Sequence, residues 1–77
     1  MLFKNYRKQI EEQIRQSEES RGYYLERLEE YTKKLLEALR NNEDTDYHIL
    51  NINTVNTIIK EETNKIEILK NLLNTRA

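Results

Sequence analysis

The chain has 77 residues, no cysteine, no proline and a single glycine, Gly22. That length allows one domain (1–77), close to the size at which a lone core is marginal. With 36% apolar and 35% charged residues, there is little to bury, and no disulfide or cysteine-based zinc site can add stability. Self-association or a partner protein is the remaining source.

Thirteen basic residues stand against 14 acidic ones, a net charge of −1. A nucleic-acid binder shows a basic excess and a nucleic-acid mimic an acidic one; this chain shows neither. No apolar run approaches the ~20 residues of a bilayer-spanning helix. The N-terminus lacks the apolar stretch of a secretory signal, so a cytoplasmic location is expected.

From Phe3 to Arg40 the density of Glu, Lys, Arg, Gln and Leu predicts one long helix. Its residues fit a heptad, abcdefg. Position d falls on Phe3, Ile10, Ser17, Tyr24, Tyr31 and Ala38, and position a on Arg7, Ile14, Arg21, Leu28 and Leu35. Leu25 and Leu39 at e widen the stripe, which suits a helix bundle better than a narrow two-stranded seam. Glu11/Arg15, Glu29/Lys33 and Glu30/Lys34 have the favourable i,i+4 order. They mark a solvated face.

The segment 41–46, Asn-Asn-Glu-Asp-Thr-Asp, predicts a turn. Asparagine tolerates the left-handed end of a helix, and Asp44, Thr45 or Asp46 can cap the next one. A second helix over about 47–75 follows from a strict heptad. Ile52, Ile59, Ile66 and Leu73 occupy a; His48, Val55, Glu62 and Leu69 occupy d. Its weak part is Leu50 to Thr57, which alternates apolar and polar like a strand and is rich in Asn, Thr and Val. A lone strand would have no partner, so a helix is expected there, with a late start near Thr54 or Thr57 as the alternative.

These elements predict an all-α fold, an antiparallel hairpin of two long helices, completing a four-helix bundle or coiled coil by self-association. Folding about the turn sets Ile52 near Leu35, Ile59 near Leu28, and Glu62 near Tyr24 and Arg21. The first helix outruns the second, and its excess around residues 1–8 projects or packs on another chain.

Four constellations bear on function. Arg21 and Glu62 interrupt the apolar seam with Ser17, and an interhelical pair there would fix register; the plainer alternative is that both snorkel to solvent. Gly22 beside them allows close helix approach or marks a kink. Metal chemistry of the di-iron type needs Glu-x-x-His motifs, and the only histidine, His48, has Thr45 three residues before it. No metal site and no cofactor are expected. A Ser–His–Asp site would have to join Ser17 or Ser20 to His48 at the turn, far along the helix. Without a glycine-rich loop or an enclosed pocket, the chain is expected not to be an enzyme.

The other two concern partners. The segment 1–8 carries Lys4, Arg7 and Lys8 with Phe3 and Tyr6, a mixture able to touch phosphate and stack on bases or to lie on an anionic membrane surface. Glu11 and Glu12 follow at once, so packing of Phe3 and Tyr6 on a sister chain is favoured. In 23–31, Tyr24 and Tyr31 lie on the seam while Tyr23 points elsewhere. On the second helix Ile58, Ile68 and Leu72 carry apolar surface beyond a and d. Phe3, Tyr6, Tyr23 and Ile58 are therefore the expected partner-binding residues, spare to the seam.

The expected function is a non-enzymatic interaction module. It would be a small self-associating inhibitor or adaptor, with a dimer favoured, that binds and modulates another protein. Compact proteins of this kind are often encoded by phages and mobile elements. The alternatives are a nucleic-acid-binding dimer using its basic N-terminal arms and a structural subunit of a larger assembly.

Overall fold

A computed structural model describes the backbone of residues 2–75 and the side chains of residues 6–75. They form two helices, α1 (Leu2–Arg40, 39 residues) and α2 (Asp46–Thr75, 30 residues). The helices pack antiparallel as a hairpin about 61 × 15 × 14 Å in extent. The long dimension is that of α1 itself, which at 1.5 Å per residue spans about 58 Å.

The turn closes by local chemistry. Asn42 takes a left-handed conformation, φ 56°. Its N–H donates to the Leu39 carbonyl at 3.3 Å, and the Glu43 N–H donates to the Ala38 carbonyl at 2.8 Å. This pair of bonds is the Schellman closure, which satisfies carbonyls that the end of a helix leaves open. On the other side, the Asp44 carboxylate accepts the Asp46 N–H at 3.0 Å, and the Thr45 carbonyl accepts the Ile49 N–H at 3.0 Å. Thr45 is thus the cap residue of α2, and Asp44 supplies the side chain. A β-branched residue is strained at a left-handed position. Asn42→Val should therefore cost about 1 kcal/mol or more, while Asn42→Gly should cost nothing. Urea melts of the two variants, compared with the parent chain, test this.

The segment from Leu50 to Thr57 is helical, and α2 begins at Asp46. The late start is thereby set aside. Thr54 donates its hydroxyl to the Leu50 carbonyl at 2.9 Å, and Thr57 donates to the Asn53 carbonyl at 3.0 Å. These hydroxyls find partners on their own helix, while Ile52, Val55 and Ile59 turn toward α1. Tertiary burial of that stripe outweighs the modest strand preference of the intervening residues.

Every buried side chain lies at an a or d position. Ile10, Ile14, Ser17 and Ala38 are buried on α1, Val55 and Ile66 on α2. The firm core is at the open end, where Ile10, Ile14 and Ile66 cluster with Leu69 and Leu73 against them. Along the middle, Tyr24, Leu28, Tyr31, Leu35, Ile52 and Ile59 are only half-buried. One partner helix can cover one side of such a residue and no more.

Gly22 lies in the interior of α1 and is exposed. A Cβ built on it meets nothing within 4 Å, so close approach of α2 does not explain it. Glycine in a helix interior is less favourable than alanine by roughly 0.5–1 kcal/mol. Gly22→Ala should therefore raise stability by about that amount in a denaturant melt. A variant no more stable than the parent would show that the surface over Gly22 is occupied in the folded protein.

Candidate functional site

The polar layer comes first, because it sits inside the seam. Ser17 is 2% exposed. Arg21, half-buried one turn further on, donates from Nη1 to the Thr63 hydroxyl at 3.3 Å. Its cross-helix partner is Thr63, not the expected Glu62, and no Arg21–Glu62 ion pair forms among the described residues. Arg21 at a leans toward the side on which e positions of α2 lie, and Thr63 is an e residue, whereas Glu62 at d is held in the seam. A cross-helix ion pair does form on that same side, between Glu18 and Lys70 at 3.8 Å.

Surface charges pair within the helix. Arg15 bridges Glu12 and Glu19, rather than Glu11. The hydrogen bond from Arg15 holds the Glu12 carboxyl below the usual carboxylate range. Lys33 meets Glu29 at 3.9 Å as expected, whereas Glu30 pairs with Arg27 at 2.9 Å in place of Lys34. Arg7 lies 3.8 Å from Glu11, so one of the three N-terminal cations already faces a carboxylate. All of these pairs are exposed or nearly so, where an ion pair contributes little.

His48 is half-buried beside the turn, with its ring edge-on to Tyr47 at 5.8 Å. Its Nδ1 is buried without a hydrogen-bond partner. No group of three or more metal-ligating side chains occurs among the described residues. No described helix is long and apolar enough to cross a membrane.

The expected partner-binding residues fall into three situations. The side chain of Phe3 lies outside the described residues. Tyr6 and Tyr23 are exposed at 50% and 53%. Tyr23 is held in place: it meets the edge of Tyr24 at 5.1 Å, and the Arg27 guanidinium sits 5.0 Å from its ring centroid. Such a cation–π contact fixes a large aromatic at a surface with little entropy left to lose. Ile58, in contrast, is half-buried at the rim of the seam. It is not spare in the way the tyrosines are, since its g position adjoins d and α1 covers part of it.

No protein-family model, curated protein or solved structure matches this chain.

The surface therefore has to be read from its own chemistry. At the turn end Leu36, Leu39, Tyr47, Ile49 and Leu50 are all exposed. Leu39 was legible as an e residue, but Leu36, Tyr47 and Leu50 fall at b, c and f, outside any stripe that a heptad reading follows. At the open end Ile68 and Leu72 are exposed on α2. Among the described residues, ten large hydrophobic side chains are exposed and five apolar residues are buried. The hairpin exposes 6247 Å², whereas a compact monomer of 9.4 kDa would expose about 5,000 Å².

Proposed function

We propose that this protein is a non-enzymatic interaction module, a small helical inhibitor or adaptor. It self-associates into a four-helix bundle and modulates another protein by binding it. The observation that carries the reading is the excess of exposed over buried large apolar side chains. Scattered apolar residues are normal on a surface, but contiguous patches mark interaction sites. Here such residues occur at both ends and on both flanks. The surplus of about 1,200 Å² over a compact monomer exceeds the ~800 Å² per partner that a standard interface covers.

Two kinds of cover are implied. One is a sister chain, which adds a second pair of helices against the hairpin. The other is a protein partner taken by surface that the sister leaves open. Sedimentation equilibrium at micromolar concentration should give a dimer, with a melting temperature that rises with protein concentration. A monomer whose melting temperature is independent of concentration would sink self-association and leave a protein partner as the sole cover.

A further inference from the structure

Between Tyr6 and Tyr23, α1 carries eight charged side chains, and every one lies at a, b, e or f. The c and g positions of this stretch hold Tyr6, Gln9, Gln13, Gln16, Ser20 and Tyr23. They form an uncharged stripe about 26 Å long at 1.5 Å per residue, on a chain of which 35% is charged. All three glutamines of the protein lie on it. Five of the six residues are exposed and Ser20 is half-buried, so the hairpin itself does not consume the stripe. Beside it, on the corresponding side of α2, lie the exposed Ile68 and Leu72. The packing of Ile10 and Ile14 with Ile66, Leu69 and Leu73 sets that part of α2 level with it.

The stripe reads alike in both directions. Its spacing is 3, 4, 3, 4, 3, with tyrosine at each end, glutamines either side of the centre, and glutamine or serine between. A contact between two copies about a two-fold axis brings the residues of one stripe against those of the other in reverse order, and in that order this stripe sets ring against ring and uncharged polar group against uncharged polar group. We infer that this flank seats a second copy of the chain, with the two α1 helices antiparallel about a two-fold axis between Gln13 and Gln16. The inference rests on the self-association proposed above and specifies where it occurs.

In this arrangement Tyr6 faces the partner's Tyr23, Gln9 faces the partner's Ser20, and Gln13 faces the partner's Gln16. A glutamine amide both donates and accepts, so facing amides satisfy one another across the axis. The absence of charge removes the like-charge repulsion that a self-contact otherwise brings together. The Arg27 guanidinium over Tyr23 keeps that ring in place at the margin. The turn ends of the two hairpins point away from each other, so Leu36, Leu39 and Ile49 stay open.

Sedimentation equilibrium of charge variants tests the placement, with circular dichroism as the check on folding. Gln13→Lys with Gln16→Lys sets four cations around the axis and should weaken the dimer at least ~10-fold with helicity intact. Gln13→Glu with Gln16→Lys sets opposite charges face to face and should keep the dimer. Spin labels on cysteines introduced into this cysteine-free chain give a second readout. The separation between a label and its copy should be short for Gln16→Cys and longer for Gln9→Cys. It should be longest for the exposed Glu26→Cys, which lies off the stripe, growing by about 3 Å per residue from the axis. A monomeric parent chain would overturn self-association itself. A dimer unaffected by the paired lysines, or with equal label separations at all three positions, would overturn this placement alone.

Discussion

Ile66→Ala is expected to lower the stability of the hairpin by about 2–5 kcal/mol, the range for removing a large aliphatic side chain from a packed core. Ile66 is 4% exposed and sits between Ile10 and Ile14 of α1, with Leu69 and Leu73 beside it on α2. This cluster is the best-covered part of the molecule, and two helices have no second layer to absorb a void. Small domains have only about 5–15 kcal/mol in total, so the variant should be largely unfolded well below the melting temperature of the parent. Leu36→Ala is the comparison: its side chain is 53% exposed, and its removal should change stability by no more than about 0.5 kcal/mol. Thermal melts followed by circular dichroism, at one protein concentration, give both values. Equal losses in the two variants would mean that the open-end cluster is not the core. Leu28, Leu35 and Ile59 should fall between these limits. They are half-buried in the hairpin, so truncation removes only part of the packing that a core residue makes.

Alanine at Tyr6 or Tyr23 is expected to act on assembly instead of folding. Both rings are about half exposed, so their loss leaves the seam untouched and helicity should stay at the parent value. Aromatic anchors dominate interface energies, at ~2 kcal/mol or more each, which is more than a tenfold change in dissociation constant. Two copies of each site contribute to a symmetric dimer, so either variant should be monomeric at concentrations where the parent is dimeric. Tyr23→Phe keeps the ring, its edge contact with Tyr24 and the face presented to Arg27, and should retain most of the assembly. Phe3 belongs to the same expected surface and should behave likewise. Loss of helicity in these variants would place the residues in the core. Normal assembly in all of them would move the contact to the exposed turn end around Leu36, Leu39 and Ile49.

The two helices, the turn between them and the buried face of each helix were all legible in the residues. Each of these features is a local or strictly periodic property. Helix geometry maps residues three and four apart onto one face whatever lies opposite, so the heptads over 10–38 and 52–73 already named the side that is buried. Asn42 and Asp44 act on backbone groups within a few residues, and turn chemistry of that kind needs no knowledge of the rest of the chain. For the strand-like stretch from Leu50 to Thr57 the residues argued against a strand, which would have had nothing to pair with, and left open where the helix begins; the structure starts it at Asp46.

Only the tertiary structure decided how far each seam residue is covered and what its polar members touch. Arg21 reaches the Thr63 hydroxyl instead of Glu62, a choice between adjacent positions on the facing helix that only folding makes. Ile58 is partly used by the hairpin because a g residue is covered only as far as the neighbouring helix leans over it. Tyr23 and Arg27 are brought together by i,i+4 spacing on one helix, but the placing of the guanidinium over the ring depends on their rotamers. Gly22 has open space above it, a fact about the opposite helix and not about glycine. Periodicity specifies direction around a helix axis; burial and partner choice depend on the distance and tilt of a second axis, and those exist only once the chain has folded.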